Sequence, residues 1–106
     1  RVLRPSDPAT MAAADAAIRR GAPEDAVALL LGAIERRPRD AALWTWLGVA
    51  YAANDGGQLS AAAKFAFARA MRLAPNEPGP PFFLGLAAFD GRDVETARAA
   101  WAQALS

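Results

Sequence analysis

The stretch Leu43-Trp44-Thr45-Trp46-Leu47-Gly48-Val49-Ala50-Tyr51 places three large aromatic side chains around one glycine. Trp44, Leu47 and Tyr51 follow one another at intervals of three and four residues, so in an α-helix they share one face. Trp46 comes two residues after Trp44, about 200° around the helix. The spacing therefore predicts a helix that packs inside the fold through its Trp44 face and turns Trp46 toward a partner.

Small and large residues recur at fixed spacing along the chain, which indicates an internal repeat. Three segments keep an alanine, a large apolar residue and a second alanine: Ala26, Leu30 and Ala33; Ala63, Phe67 and Ala70; Ala97, Trp101 and Ala104. A small residue, Ala14, Gly48 or Gly85, precedes each segment. Small residues allow close helix approach, and we expect the large aromatic residues Trp44, Tyr51, Phe67 and Trp101 to fill the core.

Gly and Pro punctuate the chain between stretches that favour helix. The predicted helices lie near residues 8–20, 23–36, 41–54, 60–73, 80–90 and 93–105. Asp7, Ser60 and Asp93 are candidate N-caps, and Pro8 and Pro23 suit a first helical turn. No alternating strand pattern competes with this interpretation. The sequence predicts an all-α domain of three antiparallel helix pairs over residues 7–106, after an N-terminal tail at 1–6.

Composition excludes several functions. The 106 residues carry a formal charge of +1, far from the basic excess typical of nucleic-acid binding. The absence of Cys and His removes thiolate and imidazole metal sites and Ser-His-Asp catalysis. No apolar run approaches the roughly 18 residues of a membrane span. We expect no metal, no cofactor, no small-molecule substrate and no enzymatic activity. Because the chain starts at Arg1, we expect an excised or processed domain whose membrane anchor could lie upstream.

The middle unit resembles the tetratricopeptide repeat. The residues that carry the resemblance are Trp44-x2-Leu47-Gly48-x2-Tyr51, then Ala63-x3-Phe67, Ala70 and Pro75. The first unit departs from the signature with Thr10, Ala13 and Ala17, and the third has Pro81 in place of the tryptophan. The resemblance implies three tandem helix-turn-helix units, at about 7–40, 41–77 and 78–106, in a short right-handed superhelical solenoid.

A narrower resemblance comes from the loop after the third helix and from the third unit. Asn54-x-Gly56-Gly57-x-Leu59-Ser60, Leu73-Ala74-Pro75, Phe82-Phe83-Leu84-Gly85-Leu86-Ala87 and Ala97-x3-Trp101 are similar to the periplasmic repeat domain of cytochrome c maturation factors. This resemblance implies a membrane-anchored periplasmic domain that holds the C-terminal helical segment of apocytochrome c. A cytoplasmic location stays open.

In a stack of such units the first helix of each pair lines a concave face. Helical spacing puts the following residues there: Met11, Asp15, Ile18, Arg19, Thr45, Trp46, Val49, Ala53, Phe82, Phe83, Leu86 and Phe89. This face is mostly apolar and lacks the Lys and Asn array by which some tetratricopeptide domains clamp a carboxylate. It suits the apolar side of an amphipathic helix, and Asp15 and Arg19 could orient a charged peptide end.

Other interpretations stay open at this point. Trp46, Phe82 and Phe83 could be covered by residues 1–6 or by a neighbouring chain. The domain could be a general tetratricopeptide scaffold unrelated to haem proteins. Asp90 and Asp93 form a possible catalytic carboxylate pair, but nothing in the sequence arranges a nucleophile around them. The Asn54–Gly57 loop lacks the spaced carboxylates of a calcium site and is expected to be a long turn.

Overall fold

The computed structural model describes residues 8–106, which form six α-helices and, within that range, no strand. The helices are α1 (Pro8–Arg19), α2 (Pro23–Arg36), α3 (Ala41–Asn54), α4 (Ala61–Leu73), α5 (Gly79–Asp90) and α6 (Val94–Leu105). The all-helical prediction is confirmed, and every boundary lies within one residue of its predicted position. The Asp7 cap and the tail at 1–6 lie outside the described residues.

Side-chain caps fix where three of the helices begin. Ser60 and Asp93 each accept a hydrogen bond from the backbone N–H three residues on, at 3.2 and 3.1 Å, as predicted. Asp40 caps α3 in the same way, accepting from the N–H of Ala42 at 3.0 Å. The sequence interpretation missed Asp40 because it assigned the residue to the Pro-containing linker. Each cap satisfies an amide that would otherwise lack a partner within the helix.

The helices pack as neighbours along the chain. The most extensive contacts join the consecutive helices α3–α4 and α5–α6, followed by α1–α2 and α2–α3, and α3 lies at the centre in contact with α1, α2, α4 and α5. Among residues 8–106, no Cα atom of α4 lies within 8 Å of a Cα atom of α2 or of α6. The extents of 36 × 33 × 19 Å fit two layers of helices. We call α1, α3 and α5 the first layer; α2, α4 and α6 lie against it.

Glycines in the first layer let large rings of the second layer approach closely. A Cβ built on Gly48 would lie 2.7 Å from two carbons of the Phe67 ring, and one built on Gly85 would overlap the indole of Trp101. Phe67 is completely buried. The predicted role of small residues is confirmed at these two positions, because a side chain at either one would collide with the ring that packs on it.

The burial of Trp44 and of Trp46 differs less than the sequence predicts. Phe67 is in the core as expected, but Trp44, Tyr51 and Trp101 are only half-buried. Trp46 is half-buried too, and packs against the same core cluster as Trp44. The physical reason is that α3 carries no charged side chain and has neighbours on several sides, so more than one of its faces is covered.

Trp44 makes one hydrogen bond, one aromatic contact and one contact with a guanidinium. Its indole N–H donates to the carbonyl oxygen of Pro38 at 2.8 Å. Its ring meets Phe65 edge-to-face with 6.1 Å between centroids, and the guanidinium of Arg69 lies 5.7 Å from the ring centroid. Trp44 thus ties the start of α3 to the preceding loop and to α4 at the surface of the core.

Candidate peptide-binding groove

A groove follows the line where α3 and α5 meet. Their N-terminal halves border one cavity of about 210 Å³, and their C-terminal halves border a second of about 280 Å³. The two helices therefore run in the same direction. Phe83 lines both cavities, so it joins them into one surface. We call this surface the α3–α5 groove, with an N-end cavity and a C-end cavity.

Aromatic rings and one carboxylate shape the N-end cavity. The rings of Trp46 and Phe83 lie 6.1 Å apart at an interplanar angle of 38°, and Phe83 meets Phe82 edge-to-face at 5.3 Å. Thr45 also borders the cavity but is 5% exposed, and its hydroxyl donates to the carbonyl oxygen of Ala41 at 2.8 Å. Among the residues that border this cavity, Glu77 carries the charge.

The C-end cavity brings all three helices of the first layer together. Ile18 comes from α1, Val49 from α3 and Leu86 from α5, and Asp90 adds the carboxylate at the end of α5. The loops that close this end touch each other, because a Cβ on Gly91 would lie 2.8 Å from the carbonyl oxygen of Gly57. The cavity is thus an apolar surface with one acidic group at its edge.

Some of the predicted groove residues meet here and others do not. The following line one or both cavities: Ile18, Thr45, Trp46, Val49, Ala53, Phe83 and Leu86. Met11 packs instead against the core cluster of α1, α2 and α3. Phe82 is 44% exposed beside Phe83, and Phe89 is 55% exposed against Trp101 at 5.7 Å, outside both cavities.

Asp15 and Arg19, predicted to orient a charged peptide end, pair with each other. Their ion pair measures 3.0 Å between side-chain oxygen and nitrogen, at the i and i+4 positions of α1. Each charge is therefore balanced by its neighbour on the same helix. Neither residue borders the two cavities of the groove.

The structure adds two acidic residues that the predicted set of groove residues omits. Glu77 precedes α5 in the loop of residues 74–78, and Asp90 ends α5. Sequence spacing did suggest Asp90, but only as half of a carboxylate pair with Asp93. The helical positions that indicate groove residues do not extend into loops, so nothing in the pattern pointed to Glu77.

Asp93 is the N-cap of α6. Its carboxylate accepts the Thr96 hydroxyl at 2.7 Å and the Thr96 backbone N–H at 3.1 Å. These hydrogen bonds, the hydroxyl first, hold the pKa of Asp93 below its ordinary value of 3.8. Both carboxylate oxygens of Asp93 are thus engaged at the start of α6, whereas Asp90 borders the C-end cavity of the groove.

Two features are absent among residues 8–106. No group of three acidic side chains is placed to hold a metal ion, and no helix has both the length and the apolar character needed to cross a bilayer. Comparison with models of known protein families yields no match, and comparison with curated proteins yields none either.

Proposed function

We propose that this chain is a non-enzymatic binding module that holds an amphipathic helix of another protein in the α3–α5 groove. The observation that carries the proposal is the continuous apolar surface built by Trp46, Val49, Phe83 and Leu86 across two helices. A helix-in-groove interaction needs such a surface, in which successive turns of the ligand find apolar contacts.

In finer detail, the architecture would be three tetratricopeptide units in a short right-handed solenoid. Support comes from the neighbour-to-neighbour packing of the helices and from the recurring glycine beneath a large ring, Gly48 under Phe67 and Gly85 under Trp101. Stacked units of this kind offer one side of the first helices to a ligand. The groove lies along two of those helices.

For the partner, we propose the C-terminal amphipathic helix of apocytochrome c during cytochrome c maturation. This choice rests on the likeness of the Asn54–Ser60 loop and the third unit to the periplasmic domain of maturation factors. It carries with it a periplasmic location and a membrane anchor outside this chain. An assembly scaffold unrelated to haem proteins would use the same groove for a different helix.

Calorimetry with a peptide of the C-terminal helix of an apocytochrome c tests the proposal. Replacing Leu86 by Ala should weaken binding by about 1 kcal/mol or more, because Leu86 lies in the groove. Leu29→Ala is the matched control: Leu29 on α2 is 42% exposed, against 38% for Leu86, and lies outside the groove. Equal losses in both variants would contradict the groove assignment.

The identity of the partner has its own readout. A scrambled peptide of the same composition, which lacks the apolar stripe, should bind much more weakly than the apocytochrome c helix. If unrelated amphipathic helices bind as well as the apocytochrome c peptide, the general scaffold is the better description. Absence of heat and of chemical-shift changes at high micromolar concentration would rule out the maturation role.

A further inference from the structure

The α3–α5 groove is apolar along its length and acidic at both ends. Glu77 borders the N-end cavity and Asp90 the C-end cavity. Both side chains are exposed, and among residues 8–106 neither forms an ion pair. Between them α3 contributes no charged side chain. The two carboxylates are thus free to meet charges on a ligand.

The length of α5 approximates the separation of Glu77 and Asp90 along the groove. Its 12 residues run from Gly79 to Asp90, with Glu77 just before the first turn. At about 1.5 Å per residue the helix is about 18 Å long. A ligand helix that lies along the groove advances about 16.5 Å over 11 residues, or three turns, which is close to this length, and residues at i and i+11 fall on nearly the same face.

The backbone at the N-end cavity does little to offset Glu77. Helix N-termini usually attract anions through free amides, but α5 begins Gly79-Pro80-Pro81, where two residues lack an N–H. The first amides of α3 are already capped by the carboxylate of Asp40. The N-end cavity therefore retains the negative charge of Glu77.

At the C-end cavity the backbone reinforces Asp90. The C-terminal carbonyl groups of α3 and α5 lie at this end and carry partial negative charge. Arg19, on the last turn of α1, is balanced by Asp15 at 3.0 Å. Arg92 lies in the loop after α5, and Asp55 lies in the loop after α3. These two loops meet where Gly91 approaches Gly57.

We infer that the groove selects an amphipathic helix with a basic residue at each end of its apolar stripe, in the pattern basic-x3-apolar-x2-apolar-x3-basic. The two basic side chains pair with Glu77 and Asp90, and the apolar pair contacts Phe83 and Leu86. This inference rests on the proposed groove function and adds the charge of the partner to it. The inference applies to a helix with this pattern from any protein.

Three synthetic peptides of about 18 residues, long enough to form a helix on binding, test the inference. They share Leu at the apolar positions and carry Lys, Gln or Glu at both flanking positions. In low salt the Lys peptide should bind roughly tenfold tighter than the Glu peptide, since two attractive pairs replace two repulsive ones. Added salt should shrink this ratio.

Matched variants locate the charges responsible. In the double variant Glu77→Gln with Asp90→Asn, the affinity for the Lys peptide should be only about one- to threefold that for the Glu peptide, because the two carboxylates that would pair with the ligand are gone. Glu24→Gln with Glu35→Gln changes the net charge equally on α2, outside the groove, and should leave the ratio near its original value. Thermal melts of both double variants establish that they are folded.

The outcomes separate the two proposals. Equal binding of all three peptides, or an unchanged ratio in the Glu77→Gln, Asp90→Asn variant, overturns the charge preference and leaves the groove function standing. Failure of all three peptides, including the uncharged Gln peptide, overturns both. A preference for the Glu peptide would assign the groove to acidic partners and likewise contradict the inference.

Discussion

The ring of Phe67 lies directly on Gly48, with 2.7 Å between two ring carbons and the position that a Cβ on that glycine would take. Phe67 is completely buried, so the ring is enclosed on its other sides as well. The contact joins α3 to α4 within one helix pair. It makes the separation of these two helices depend on the absence of a single methyl group.

Gly48→Ala should therefore lower the free energy of unfolding by about 1–3 kcal/mol, because the enclosed ring cannot move away from the added methyl. The better helix propensity of alanine, worth about 1 kcal/mol, acts in the opposite direction. Gly32→Ala in α2 is the control, since nothing lies within 4 Å of its Cβ position. Urea titration should show Gly32→Ala stabilised and Gly48→Ala destabilised. The reverse order would mean that α3 and α4 do not pack as described.

Gly85→Ala should cost less than Gly48→Ala, although its Cβ would overlap the Trp101 indole. Trp101 is only half-buried, near the end of the described chain, so its ring can swing toward solvent. The move would break the hydrogen bond from its indole N–H to the Phe82 carbonyl oxygen, now 3.3 Å. Tryptophan fluorescence should shift toward longer wavelength in Gly85→Ala. An unchanged spectrum together with a larger loss of stability would contradict this.

Replacing either tryptophan of α3 should destabilise the protein, Trp44 more than Trp46. Trp44→Ala is expected to lower the unfolding free energy by about 2–3 kcal/mol, less than a fully buried aromatic residue, because the ring is half-exposed. It loses the Pro38 hydrogen bond and the Phe65 contact as well. Trp46→Ala should cost about 1–2 kcal/mol of stability and a further 1 kcal/mol or more of partner binding. Denaturant titration and calorimetry measure the two effects. Greater destabilisation by Trp46→Ala would place Trp46 in the core and remove it from the groove.

Arg92→Gly should stabilise the protein by up to about 1 kcal/mol. Arg92 has φ of 66°, a left-handed conformation that costs a non-glycine residue about 1–2 kcal/mol, partly offset by the chain entropy of glycine. Gly21 has φ of 84° at the matching point after α1, with the same pattern of terminal hydrogen bonds. Arg98→Gly within α6 is the control and should destabilise. A lower melting temperature for Arg92→Gly would oppose the argument.

Acid should weaken the cap of α6. The hydrogen bonds from Thr96 lower the pKa of Asp93 in the folded state below 3.8, so its contribution to stability is complete above that value. The contribution is lost as the pH falls through the lower, folded pKa. Asp93→Asn keeps an oxygen for capping but cannot titrate, so its stability should fall less than that of the wild type between about pH 5 and pH 2. Parallel pH curves for the two proteins would show that Asp93 contributes nothing to acid unfolding.

Local signals explain why the helices could be predicted so closely. Ser60 and Asp93 start their helices through hydrogen bonds that span three residues, and Pro23 stands at the first position of α2. These devices act within one turn of the chain, so their spacing is visible in the sequence. The sequence also predicted that Gly48 allows close helix approach and that Phe67 fills the core, because equivalent small and large residues recur in the other units.

The groove could be predicted only in part. Helical spacing placed Trp46, Val49 and Leu86 on a common side of the first-layer helices, and the structure lines its two cavities with them. The same spacing included Met11 and Phe89, which pack against the core and against Trp101 instead. A periodic pattern gives the direction of a side chain around its own helix. It does not give the neighbour that the side chain meets.

The amino-acid sequence by itself determined the six helices, the Ser60 and Asp93 caps and the small residues at which helices approach closely, because these depend on contacts within a turn or on an exact repeat. Only the tertiary structure decided that Trp44 and Trp46 share partial burial and that Glu77 and Asp90 stand at the two ends of one groove. Those relations depend on which helices pack around α3 and on where the loops lie beside it. Such distances are set by the packing of helices far apart in the chain, and no local periodicity records them.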